Sequence, residues 1–164
     1  MISKINSFAL YGLEGKLVEI EVDINNGLPS FEIVGLADTA VKESKERVRS
    51  AVKNSGRTMP TKKITANFAP ADLKKEGSTF DLPLAIGLLK ASAQLVAQTD
   101  EYVFLGELSL DGHLRKINGV LPIFVAIIAM GFMRDGIEDV DGNGNYSVTI
   151  LNADNTVKEV FFLM

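Results

Sequence analysis

Between Lys16 and Ile24 the chain alternates strictly, with Val18, Ile20, Val22 and Ile24 apolar and Glu19, Glu21 and Asp23 polar. A two-residue period puts the apolar side chains on one face of extended backbone, so this segment predicts a half-buried strand. Asn25-Asn26-Gly27 supplies residues that tolerate positive φ, and Phe31 to Val34 reads as the returning strand of a hairpin. The first two or three strands are therefore expected to be antiparallel.

After Gly35 the period lengthens. Val41, Val48, Ala51 and Val52 recur at helical spacing, Asp38 or Thr39 is placed to cap the start, and Gly56 to end the helix in left-handed backbone. Lys63 to Phe68 alternates again as a strand. Asp81 is placed to cap a second helix, with Pro83 tolerated in its first turn. Leu84, Ala85, Ile86, Leu88 and Leu89 leave that helix little polar surface, so it is expected to be central. Tyr102 to Leu105 and Glu107 to Leu110 read as short strands around Gly106. Asp111-Gly112 reads as a turn, and Gly119 to Met130 as a third helix closed by Gly131. This order of elements predicts a two-layer α+β sandwich.

Composition narrows the class. The chain has 164 residues, 46% of them hydrophobic and 23% charged, which suits one folded domain. The longest apolar run, Gly119 to Met133, holds Pro122 and is too short to span about 30 Å of hydrocarbon. No basic-then-apolar leader precedes the first strand, so a cytoplasmic location is expected. With no cysteine there is no disulfide, thiolate metal site or cysteine nucleophile. The net charge of -4 opposes a bulk electrostatic grip on nucleic acid. Locally the balance reverses: Lys42, Lys45, Arg47, Arg49, Lys53 and Arg57 crowd the first helix, with Lys62 and Lys63 close behind. Glu43 and Glu46 interleave with them at pairing distance, which is how a solvated helix face also looks. Arg47 and Arg49 are expected to lie off the apolar stripe, where charge reversal would leave folding intact.

The segments GLPSFEIVGLADTAVKES, RVRSAVKNSG, ITANFAPADLKKEG, FDLPLAIGLL and GELSLDGHLRKINGVLP follow one another from about Phe8 to about Gly131. In that order they resemble the amino-terminal domain of the magnesium-chelatase-related AAA+ ATPases of the YifB/ComM type, linked to competence and DNA processing. That domain is similar to the peptidase domain of Lon, so the resemblance implies a ribosomal protein S5 domain 2-like, Lon-peptidase-like fold. Residues 1–132 are taken as this domain. Residues 133–164 depart from the family pattern. Tyr146 to Leu151 and Thr156 to Phe162 are β-rich, and Asn152 to Asn155 suits a turn, so the tail is expected to be a β-hairpin packed on the same domain.

The resemblance also implies a site. Aligned with Lon, Thr79 falls at the nucleophile, with Ser78 beside it, and Leu121 falls where Lon has its lysine base. A hydroxyl needs a base in reach before it attacks, and leucine accepts no proton; Lys116 is the remaining candidate. Bare capping of a helix start is the favoured reading of Ser78 and Thr79. Lys74 and Lys75 beside that helix start would favour an anion, and Asp81 would oppose it. His113, in the predicted turn, lacks the companion ligands that zinc requires. Asp139, Asp141 and Asn143 alternate like the front of a calcium loop, but Ile150 stands where a bidentate Glu is needed, so a plain turn is favoured.

No G-x-x-x-x-G-K-[ST] phosphate loop occurs in the sequence, so ATP and Mg would act only through an ATPase module absent from this chain. The first expectation is a catalytically inert accessory or interaction domain of a YifB/ComM-type protein. The resemblance implies a setting of hexameric motors on branched DNA, hence DNA, a DNA-processing protein or further copies of the chain as partners. The alternatives are a Lon-like peptidase using Thr79 or Ser78 with Lys116, and a small nucleic-acid-binding module using the first helix.

Overall fold

A computed structural model describes residues 1–100 and 102–117, Ile123 and Ala126, and the backbone of Asn145–Leu151 and Val157–Leu163. Its centre is a four-stranded sheet of β1 (Ile2–Tyr11), β2 (Glu14–Asn25), β3 (Ser30–Val34) and β4 (Lys63–Ala69), in the spatial order β1-β2-β4-β3. Helices α1 (Thr39–Asn54) and α2 (Asp81–Ala91) pack on its apolar face. The short strands β5 (Glu107–Leu108) and β6 (Leu114–Arg115) pair across the Asp111-Gly112 turn. The chain is thus a mixed α/β structure of the α+β kind.

The expected strand in β2 is present, with Val18, Ile20, Val22 and Ile24 buried. Its hairpin partner is different. β3 does not return along β2: β4 lies between them, antiparallel to β2 and parallel to β3. The partner of β2 on its other side is β1, joined by the tight turn at Gly12, whose φ is 62°. β1 presents Ser3 and Ser7 to the interior with Ile5. Ser3 Oγ donates to Gly87 O at 2.7 Å, and a Cβ at Gly87 would stand 2.8 Å from Val22 Cγ2, so the lack of a side chain there is what lets α2 lie close on the sheet.

Helix α1 runs as its period predicts. Asp38 caps it through Val41 N at 2.7 Å, and Val41, Val48, Ala51 and Val52 are buried. Helix α2 has Leu84 and Leu88 fully buried at the centre of the core, with Phe80 stacked edge-on to Phe68, ring centroids 5.5 Å apart. Its cap corrects the sequence reading. Asp81 is the first helical residue, the cap position is Phe80, and no side chain caps the end. Ile123 and Ala126 are helical, and the rest of the expected third helix lies outside the described residues. In the tail, β7 (Asn145–Leu151) and β8 (Val157–Leu163) pair antiparallel, as expected of a hairpin.

Candidate functional site

Two motifs of the resemblance, around Val34 to Lys42 and Ala69 to Gly77, meet in space. Ala37 bridges Lys75 in parallel register, with Lys75 N donating to Leu36 O at 3.2 Å and Asp38 N to Lys75 O at 3.0 Å. Gly35, at φ 99°, lies against β4 so closely that a Cβ would stand 2.2 Å from Phe68 O. The Lys75 side chain is fully buried and its ammonium donates to Gly35 O at 3.0 Å and to Pro70 O. Burial pushes this ammonium below the ordinary lysine pKa, with Asp72 opposing the shift. Asp38 closes the knot, its carboxylate accepting from Val41 N and, at 3.4 Å, from Gly77 N.

A second buried charge joins α1, α2 and β5. Asp81 has no exposed surface, yet it accepts from Arg47 Nε at 2.6 Å and Arg47 Nη2 at 3.0 Å, and from Leu108 N at 3.2 Å. Arg47 therefore points inward to a carboxylate, which corrects its expected place in a solvent-facing row. Its Nη2 also reaches Ala40 O and Ser44 Oγ. The planar fork of Arg suits such bidentate pairing, and nothing in local spacing joins two residues 34 positions apart.

The Lon-aligned hydroxyls line a cleft of about 310 Å³ together with Glu76, Phe8, Glu107 and Lys116. Neither hydroxyl caps a helix. Ser78 Oγ donates to Glu107 Oε2, and Thr79 contributes its carbonyl to Gly106 N at 2.9 Å. Glu107 also faces Arg115 Nη1 at 3.8 Å. Lys116 shares the cleft, but among the described residues no hydrogen bond joins it to Ser78 or Thr79. Lys74 pairs with Glu76, and Lys75 is turned inward, which removes both from the anion site that the sequence suggested. Leu121 lies outside the described residues, as do Asp139, Asp141 and Asn143.

His113 stands in the β5–β6 turn, 84% exposed, with Nδ1 3.2 Å from Asp111. The Ser109 hydroxyl and the His113 backbone N–H hold the Asp111 carboxyl at about 2, below its ordinary value. Among the described residues no group of three or more His, Asp or Glu is placed to hold a metal ion. No helix among them is long and apolar enough to cross a membrane.

On α1 the basic residues divide. Lys42 and Lys45 line a shallow cleft with β3, while Arg49 and Lys53 line the next one with Lys62. Arg47 is withdrawn from this surface and Arg57 lines neither cleft. Lys62, outside the helix, completes it.

The family model described as subunit ChlI of Mg-chelatase matches residues 20–135, and the chain belongs to that family. It is 48% identical over 131 residues to YifB of Escherichia coli (strain K12), covering 79% of this chain and 26% of that protein. Similarity to the competence protein ComM of Haemophilus influenzae reaches 50% identity over 123 residues, 74% of this chain and 24% of that one. The chain thus spans about a quarter of the length of these relatives.

Proposed function

We propose that this chain is a non-catalytic accessory and interaction domain of a YifB/ComM-type protein, working in a DNA-processing or competence context. The observation that carries the reading is where the motif charges go. Lys75, Asp38 and Asp81 are spent on backbone groups and on Arg47 inside the fold, so the motifs shared with the family specify packing. Lon-type hydrolysis needs a neutral lysine about 2.6–3.2 Å from the attacking hydroxyl. Ser78 instead donates to the Glu107 carboxylate. The context is supported by the Haemophilus relative, named a competence protein. On this reading ATP and Mg belong to a module outside these residues, since the sequence holds no phosphate loop. The domain would have the S5 domain 2-like arrangement shared with Lon; a sheet with two helices on its apolar face supports this.

The test is casein hydrolysis by the purified chain beside its Ser78→Ala and Thr79→Ala variants, with calorimetry of Mg-ATP. The expected result is no cleavage above the variants and no heat of binding at micromolar ATP. Cleavage that either substitution abolishes, or micromolar ATP affinity, would overturn the reading.

A further inference from the structure

β3 ends the sheet. It is bonded on one side to β4, and among the described residues no strand pairs with its other edge. Ser30 N donates to Lys62 O, so Ser30, Glu32 and Val34 turn their main-chain groups toward β4, while Phe31 and Ile33 turn theirs outward. A row of open N–H and C=O groups is a template for one more strand. Pro29 lies just outside β3 and leaves these donors in place.

Helix α1 builds a wall along that edge. Lys42 and Lys45 line a cleft of about 280 Å³ with Phe31, Glu32, Ile33 and Val34. Arg49 and Lys53 continue the wall beside Ser30, so it is basic for the length of the strand. Among the described residues Lys42, Lys45 and Lys53 enter no ion pair, and Arg49 has a weak partner in Glu46 at 3.4 Å. Glu32 is the one acid among the described lining residues of the Lys42 cleft. Phe31 and Ile33 pack toward the core under α1, so Glu32, between them, faces the side of the sheet away from the helix.

We propose that the groove between β3 and α1 binds an extended acidic segment of a partner protein, which joins the sheet as a further strand beside β3. Main-chain bonds to Phe31 and Ile33 supply the grip, and side chains supply the choice. Successive side chains of an added strand alternate between the two faces, so every second one meets the lysine wall. Residues two apart in a strand stand about 7 Å from each other, and Lys42 and Lys45 are separated by about 4.5 Å along the helix, a difference their long side chains span. Acidic residues at alternate positions therefore fit the wall. Uncharged residues between them avoid the Glu32 carboxylate and lie beside exposed Val34. A second copy offering its own β3 would set two lysine walls together, and that like-charge contact disfavours the chain as its own occupant. This inference gives the accessory domain the chemistry of its partner and rests on that reading.

Fluorescence anisotropy of the full chain tests it with a labelled octapeptide of alternating Glu and Val. The controls are the same peptide with Lys for Glu, and two forms of the acidic peptide N-methylated on every Val or on every Glu. The acidic peptide should bind at least about tenfold tighter than the lysine one. Alternate N–H groups of a strand point to opposite edges, so one N-methylated form should lose at least about tenfold and the other stay within about threefold. Lys42→Gln/Lys45→Gln should weaken the acidic peptide at least about tenfold, and Arg57→Gln, which lines neither cleft, less than about twofold. Circular dichroism checks that the double variant is folded, and the N-methylated pair tests strand addition on the unaltered chain. No binding of the acidic peptide at low salt, equal or tighter binding of the lysine peptide, equal binding of the two N-methylated forms, or undiminished affinity in a folded double variant overturns the proposal. So does a dimer in sedimentation that the acidic peptide dissociates, since the edge then belongs to a second copy. None of these outcomes bears on casein cleavage, so the accessory-domain reading stands or falls separately.

Discussion

Replacing Arg47 by Met strands a carboxylate in the core. Asp81 is 0% exposed and draws on Arg47 through both guanidinium contacts, leaving Leu108 N as its one other side-chain hydrogen-bond partner among the described residues. Breaking a buried pair from one side costs about 3–5 kcal/mol, because the remaining charge has lost both water and partner. The Arg47 side chain keeps 23% of its surface, so solvent can approach and the lower end, about 3 kcal/mol, is expected. For a chain of this length that lowers Tm by about 6–12 °C. Arg47→Met/Asp81→Leu removes both charges and leaves chiefly the Leu108 N–H unpaired, a loss of about 1–3 kcal/mol. The two single losses should therefore exceed the double loss by at least about 2 kcal/mol. Arg49→Met, which removes an exposed pair, should cost under about 0.5 kcal/mol. Urea unfolding followed by circular dichroism measures wild type, Arg47→Met, Asp81→Leu, the double variant and Arg49→Met. Additive losses, or an Arg47 variant no less stable than the Arg49 one, would refute the reasoning.

Three further outcomes are expected. Gly35→Ala combines a φ of 99° with a Cβ placed 2.2 Å from Phe68 O, and should cost roughly 3 kcal/mol or more in urea unfolding; a loss under 1 kcal/mol would contradict the close approach. Because burial lowers the folded-state pKa of Lys75, its contribution to stability falls as pH drops through that lowered pKa and is restored as pH rises toward the unfolded value of 10.5. Wild type should thus gain stability over Lys75→Met between pH 7 and pH 10, and parallel urea curves at the two pH values would exclude this. For Asp111, a carboxyl titrating at about 2 should move up toward an ordinary Asp value in Ser109→Ala; an NMR titration that finds no change would remove the Ser109 hydroxyl as the cause.

The period of apolar positions is enough to find β2, α1 and β4, because each buries one regular face, whereas α2 is found from its nearly continuous apolar run. The period misses β1, whose buried positions include Ser3 and Ser7 and so do not read as apolar. Ser3 fits there because α2 lies so close at Gly87 and accepts from its hydroxyl. Turn chemistry after Ile24 suggested a hairpin, but which strands pair is a property of the whole sheet, and β4 took the place that local sequence gave to β3. Charges were the least legible. Lys74 and Lys75 are neighbours of the same type, one exposed and one enclosed, and Arg47 looks no different in sequence from Arg49. The cleft around Ser78 was found from the alignment with Lon, whereas Glu107, its acceptor, carries no signal at the sequence level.

The sheet order has a consequence for synthesis. β4 is the strand that both β2 and β3 need, and it follows Val34 by a whole helix. On a ribosome β1 and β2 can pair as soon as they emerge, while β3 must wait unpaired until residues through Ala69 are made. At ~5–20 residues per second that wait lasts some seconds, during which the backbone groups of Ser30–Val34 are open to other strands. Any fragment ending before Lys63 would keep β3 in that state permanently.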